Sequence, residues 1–326
     1  TIIFNFLNPI FSFLTFLMEK TSFILSTIKI TKLIIPKTSF ILIILYYLFL
    51  LLYIYYNKKR FFVFLIFLII FIKIIPFTFS KENIIFLDVF QGDSMLYITK
   101  NQSKVYMFDT GGIINKSVSD NSILYLKSLG ISKIDYLILT HGDYDHAGDA
   151  ENVINKIKVK NVIFNNGEYK SLEKNVINLL EKKHIKYFKC NDVTIKNMKF
   201  LNDIDFNNEN DNSIVTLLKV NKYNFLLMGD ASKKTENYII SKNHIQNITF
   251  LKVGHHGSNT SSGKSFINYI KPIYSIISVG KKNKFGHPKK EVLDILNNTK
   301  IYRTDLNGSI QVLINNNGYK IKTYEP

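Results

Sequence analysis

The sequence predicts an α/β globule of two packed sheets with helices outside, preceded by transmembrane helices. Three observations lead there: an apolar, almost uncharged start, short apolar runs of strand length beyond residue 80, and longer periodic stretches that alternate with the later runs.

The apolar start comes first. Residues 1 to 18 carry no charge but include Asn5, Asn8 and Pro9, so a kinked, truncated or re-entrant span is expected. Thr21 to Ile35 mixes Phe23, Ile24, Ile28, Ile34 and Ile35 with Lys29 and Lys32, the pattern of an interfacial amphipathic helix. Phe40 to Tyr56 is an uncharged run of 17 residues, and Phe61 to Ile72 continues past Lys73 to Phe79. Each supplies about 20 mostly apolar residues, enough for a hydrocarbon core, so transmembrane helices are expected at about 38–56 and 61–79. Core helices of a soluble protein are the competing reading, and two such runs in succession weigh against it. A basic region of the kind that opens a signal peptide is absent. Lys58, Lys59 and Arg60 at a cytoplasmic turn would put residue 81 onward outside, whereas Lys29, Lys32 and Lys37 argue the reverse; outside is the expected side. The chain opens on Thr1 rather than Met, so more chain is expected upstream.

The globule occupies residues 81–326, after a membrane part at 1–80 and a linker near Pro76 to Asn83. Strands are expected at Ile84 to Phe90, Met95 to Thr99, Val105 to Phe108, Tyr136 to Leu139, Val162 to Phe164, Ile214 to Val220, Phe225 to Met228, Ile248 to Val253, Ile273 to Ser278 and Ile310 to Ile314. Helices are expected at Ser119 to Leu129, Leu172 to Lys182, Lys233 to Ile240, Ser262 to Ile270 and Pro288 to Leu296.

Composition narrows the chemistry. With one cysteine among 326 residues, no internal disulfide or cysteine-rich zinc knuckle can form, so a metal must be held by His and carboxylates. The formal charge of +17 favours acidic partners such as nucleic acid or anionic lipid, although a genome biased toward Lys, Asn and Ile codons would raise it too.

The sharpest signal is Thr140-His141-Gly142-Asp143-Tyr144-Asp145-His146-Ala147-Gly148, directly after an apolar strand. His141, Asp143, Asp145 and His146 on one tight loop can converge on a cation, and burying such a density of carboxylates without one is costly. Two further apolar strands end in Asp230 and in His255-His256, and a third ends in Asp109. Taken singly, Asp230 could equally cap the following helix and Asp109 could sit in a turn.

The order of FLDVFQGDS, Asp109 in DTGG, THGDYDHAGD, Asn212 and Ser213 in NDNSIV, LLMGDA, KVGHHGSNTS and FGHP resembles the metallo-β-lactamase fold, a four-layer αββα sandwich. Within it the chain is similar to the hydrolase domain of the ComEC/Rec2 family of DNA-uptake channels, over about residues 84 to 315. The superfamily motif is HxHxDH, whereas Asp143 here stands where the second histidine would be.

The resemblance implies a metal-dependent nuclease domain of a multi-pass cell-membrane protein, acting on DNA alongside other uptake proteins, with the hydrolase domain extracytoplasmic. The expected metal ligands are His141, Asp143, Asp145, His146, Asp230 and His255, around one ion or two. An oxygen-rich set favours Mn²⁺, with Zn²⁺ the competitor. Asp145 is the candidate for orienting the attacking water, and His287 for contact with a phosphate or the leaving group. His256, Ser258, Asn212 and Ser213 are the expected substrate contacts. Lys271, Lys281, Lys282, Lys284, Lys289 and Lys290 around His287 fit a nucleic-acid backbone or a solvated face. Two other readings stay open: a hydrolase of small esters or thioesters, and a channel whose hydrolase domain is catalytically silent.

Overall fold

The computed structural model describes residues 2–27, 34, 36–37, 40–56, 64 and 81–326. The N-terminal region forms a helix Ile2–Thr27, which runs through Pro9 rather than breaking there, and a helix Phe40–Tyr56. Among the described residues no helix is long and apolar enough to cross a membrane. Phe40–Tyr56 falls within the first expected span and has 17 residues; the second, at 61–79, lies outside the described residues apart from Phe64. So does most of the expected interfacial segment beyond Thr27.

Beyond residue 80 the chain builds two large sheets. The first orders eight strands: β16 (Gly318–Thr323), β15 (Ile310–Asn315), β1 (Glu82–Phe86), β2 (Met95–Ile98), β3 (Val105–Phe108), β5 (Tyr136–Ile138), β7 (Asn161–Phe164) and β8 (Lys186–Lys189). The second orders six: β14 (Lys300–Arg303), β13 (Tyr274–Ile277), β12 (Ile248–Lys252), β11 (Tyr223–Leu227), β10 (Thr216–Val220) and β9 (Met198–Phe200). A short β4 (Lys133–Ile134) pairs with β6 (Lys158–Val159).

Side-chain alternation sorts these strands into four layers. Phe86, Tyr97, Phe108 and Ile138 of the first sheet pack against Leu218, Phe225, Phe250 and Ile276 of the second. The outer face of the first sheet, with Leu96, Met107, Leu137 and Val162, receives helices Ser119–Ser128, Ala150–Lys156 and Ser171–Lys182 through Leu126, Val153 and Val176. The outer face of the second, with Leu226 and Leu251, receives helices Lys233–Lys242, Lys264–Ile270 and Lys290–Ile295 through Ile239, Phe266 and Val292. Each fully buried large side chain contributes roughly 1.5–3 kcal/mol. Strand β12 is buried along its whole length because both of its faces are covered.

The five expected helices form, with ends moved by a few residues. The polar-edged strands β8, β9, β14 and β16 and the short helices Tyr144–Ala147, Ala150–Lys156 and Thr304–Asn307 are additions to the expected set.

Candidate metal centre

One edge of the sandwich collects the carboxyl ends of parallel strands. Strand β3 runs parallel to β5 with Phe108 opposite Ile138; β11 is parallel to β12 with Leu227 opposite Lys252, and β12 to β13 with Lys252 opposite Ile276. The next residues along each segment therefore meet: Asp109, Thr140-His141, Asp230, the 254–257 turn and Ser278. Loops outside the carboxyl ends of strands are where α/β sheets place ligands.

Tight backbone packing fixes those loops. Gly92, at φ +141°, lies so close to the Asp145 carbonyl that a Cβ there would come within 2.3 Å of its oxygen. Gly229, at φ +53°, turns the chain from β11 into Asp230 with Ser213 pressed against it. His255 (φ 47°) and His256 (φ 53°) both occupy the left-handed region, which non-glycine residues adopt at a cost and which clusters at functional sites.

His146 lies at the centre. Its Nδ1 is 2.8 Å from Asp109 Oδ2 and its Nε2 is 3.1 Å from Asp230 Oδ1. Asp109 also accepts from the Thr140 amide and hydroxyl, both at 2.7 Å, so its carboxylate is locked before it reaches the imidazole. His256 Nδ1 donates to the Ser278 carbonyl at 2.9 Å, which aims Nε2 at Asp145 Oδ2 (3.3 Å) and Asp230 Oδ2 (3.7 Å). The His141 ring lies 4.1 Å from that of His146, centre to centre, tilted by 51°. Beneath them, the fully enclosed ammonium of Lys252 is paired with Asp93.

Charge in this pocket is strongly coupled. Burial opposes protonation of His146, yet the Asp230 and Asp109 carboxylates outweigh it and hold the imidazole well above its usual range. For His256 the same contest, against Asp230, Asp145 and Asp93, ends with the ring pushed up to about 10. Asp230 is held well below the carboxylate range because His146 and His256 overcome its burial. His287 moves the other way: burial, then the charges of His255, His256 and Lys289, push it down to about 4, so it is neutral at pH 7.

A profile of the metallo-beta-lactamase superfamily matches residues 87–281. The chain belongs to that superfamily. Curated relatives are similar over most of its length: ComE operon protein 3 of Bacillus subtilis (strain 168), 31% identical over 276 residues, covering 78% of this chain and 36% of that protein; Competence protein ComA of Neisseria gonorrhoeae, 28% identical, covering 72% and 32%; and Recombination protein 2 of Haemophilus influenzae, 31% identical, covering 69% and 28%. These are relatives of the competence family that the seven sequence blocks resemble. The chain thus spans about a third of the length of the curated relatives it matches.

Membership of the metallo-beta-lactamase superfamily implies a divalent cation, and the cluster fits one. His141 Nε2, His146 Nε2, His256 Nε2 and Asp230 Oδ1 are all buried and make no well-aligned hydrogen bond, facing one another and Asp143 or Asp145 only in ion-pair contacts of 3.1 to 3.7 Å, an arrangement that leaves their lone pairs and charges open to a cation. Among the described residues four triads have ligand atoms mutually within 4.8 Å: His141, His146 and Asp230; Asp145, His146 and His256; Asp93, Asp109 and His146; and Asp93, Asp230 and His256.

The residues singled out in the sequence are placed unevenly. His141, His146, Asp145 and Asp230 come together. Asp143 turns outward, with 45% of its side chain exposed and Oδ2 3.6 Å from His141 Nε2. His255 stands at the rim, 3.6 Å from Asp230 Oδ2, with Thr260 Oγ1 on its Nδ1; the inner position expected for it belongs to His256, because the left-handed turn swings the second imidazole inward. His287 lies next outward, its ring 5.8 Å from that of His255. Ser258 is buried and its Oγ accepts from Thr260, while Ser213 is fully buried and its Oγ accepts the Asp230 amide. The amide of Asn212 is occupied by Asp205 and the Phe206 N–H. These three act on neighbouring loops and not on the open face of the cluster. Asp93 and Lys252 join the residues named from the sequence: Asp93 belongs to the FLDVFQGDS block but has no metal-ligand spacing to mark it, and a lysine closing a strand reads as solvent-facing.

Proposed function

We propose that this chain is the hydrolase part, with adjoining membrane helices at 38–56 and 61–79, of a DNA-uptake protein, and that it cleaves phosphodiester bonds of DNA with the help of a divalent cation. The observation that carries the reading is the convergence at one sheet edge of His141, His146, Asp230 and His256, each with a buried potential ligand atom that makes no well-aligned hydrogen bond. The similarity to a competence protein supports the uptake context, and the lysines beside His287 in the sequence support an anionic substrate.

In this reading His141, His146, Asp230, His256 and Asp145 hold the cation. When bound, the ion lowers the pKa of water and neutralises charge on a phosphoryl oxygen. Asp109, Thr140 and the Ser278 carbonyl keep the imidazoles aimed, so little reorganisation is needed at reaction. Asp145, with 32% of its side chain exposed, is the carboxylate on the open side and orients the water. His287, neutral at pH 7, accepts or donates a hydrogen bond to the substrate without carrying charge. The carboxylates favour Mn²⁺, and three imidazoles also suit Zn²⁺.

The full chain incubated with single- and double-stranded DNA and with acyl esters, in Mn²⁺ or Zn²⁺, tests the reading. DNA cleavage that Asp145→Ala lowers by at least about 100-fold is expected. Ester turnover with DNA left intact would replace it by a small-molecule hydrolase, and no turnover of either would leave a silent domain.

A further inference from the structure

Two large aromatic side chains stand exposed beside the cluster, each with a lysine against its ring. Phe90 is 48% exposed and Phe285 49%. Lys116 Nζ lies 4.1 Å from the Phe90 ring centre and Lys284 Nζ 5.3 Å from that of Phe285. Burial explains neither position, and the backbone of Phe90 makes the arrangement costlier still. Its φ of 63° is an outlier for a bulky residue, held by Asp88 Oδ1 accepting the Phe90 amide at 3.0 Å.

Both rings are tied to the site by rigid contacts. The 88–94 loop reaches Asp145 through the Asp93 amide, which donates to the Asp145 carbonyl at 3.1 Å. The same loop reaches the 280–287 loop through Gln91 Oε1, which accepts from the Gly280 amide at 3.2 Å. Asn283 closes the 280–287 loop by donating to the Gly280 and His287 carbonyls. Phe285 then stacks on His287 at 5.7 Å and 22°, and its carbonyl accepts from Lys289 Nζ.

We propose that Phe90 and Phe285 are stacking contacts for unpaired nucleobases of the DNA, with Lys116, Lys284 and Lys289 serving the flanking phosphates. The proposal rests on the phosphodiester reading and adds to it where the bases sit. Exposed aromatics interleaved with lysines provide flat faces for bases and charge for the backbone between them. A lipid surface is the rival occupant, since phenylalanine and lysine also suit a membrane interface. The stacking of Phe285 on His287, just outside the rim of the site, favours nucleic acid.

The test measures binding to the metal-free full chain by fluorescence anisotropy, so that no turnover is needed. A 20-nucleotide single strand, an abasic strand of equal length and phosphatidylglycerol vesicles are the probes. Phe90→Ala and Phe285→Ala should each weaken the base-bearing strand by about tenfold. They should leave the abasic strand within about twofold, and Phe285→Trp should restore binding. Circular dichroism melts confirm that the variants fold. Equal loss on both strands, no loss on either, or loss confined to vesicles would overturn the proposal, as would a wild-type chain that binds no strand. A chain that binds strands as expected but cleaves nothing would instead sink only the nuclease reading.

Discussion

Two polar patches share residues of the 140–149 motif and differ in one respect. Around Asp149, buried polar groups are matched: Oδ2 accepts from the Val118 and Ser119 amides and the Ser117 hydroxyl, while the Asn152 amide donates to Ser117, Ser119 and Asp120. Around Asp109 the pocket-facing atoms of His141, His146, His256 and Asp230 have ion-pair contacts but no well-aligned hydrogen bond. A matched buried network stabilises a fold; an unmatched one keeps its binding capacity for something the chain does not supply. The motif thus divides its acidic residues between anchoring the loop and furnishing the site.

The contrast can be broken at several points. Lys252 bridges the two roles, since it neutralises Asp93 under the unmatched patch. Lys252→Met should destabilise the chain by about 3–5 kcal/mol in denaturant melts, because Asp93 is left buried without its ammonium. A loss below about 1 kcal/mol would mean that His256, 3.4 Å from Asp93, suffices as its counter-charge.

Next come the paired substitutions. Asp109→Ala should weaken Mn²⁺ or Zn²⁺ binding by about 10–100-fold in titration calorimetry, as expected when the partner that orients an imidazole is removed. Asp149→Ala should leave that affinity unchanged and lower stability by about 1–3 kcal/mol, from two amides left unpaired. An Asp149→Ala effect on affinity as large as that of Asp109→Ala would erase the distinction between the patches.

The smallest effect concerns Glu236, a third buried carboxylate, which accepts from the Ser262 and Gly263 amides. Burial outweighs those bonds and raises its pKa from 4.5 to about 7. The native state then holds the proton more tightly than the unfolded chain. The associated stability is fully present below about pH 4.5 and is lost as pH rises to about 7. Glu236→Gln should flatten that part of the stability profile. An unchanged slope in melts between pH 5 and 8 would assign the pH dependence to other groups.

Much of the architecture is legible in the sequence because buried strands such as Ile248–Lys252 are nearly continuous apolar runs. Edge strands are not: Lys186–Lys189 and Lys300–Arg303 have partly covered faces, and their lysines and tyrosines read as loop. The cation-binding loop is visible from the density of His and Asp at one strand end. Which of two adjacent imidazoles enters the pocket is not, because that depends on the left-handed backbone at 255 and 256. Lys252 is hidden for a different reason, since its burial makes sense only once Asp93, far away in the chain, is beside it.

Because the pocket draws on positions 93, 109, 141, 146, 230 and 256, no short stretch of this polypeptide contains it. A chain that stops before His256 lacks that imidazole, and its first sheet still awaits the pairing of β15 with β1. The candidate ion-binding set is therefore complete only once the 254–257 turn is joined to the earlier loops, and a product cut before that turn lacks part of it.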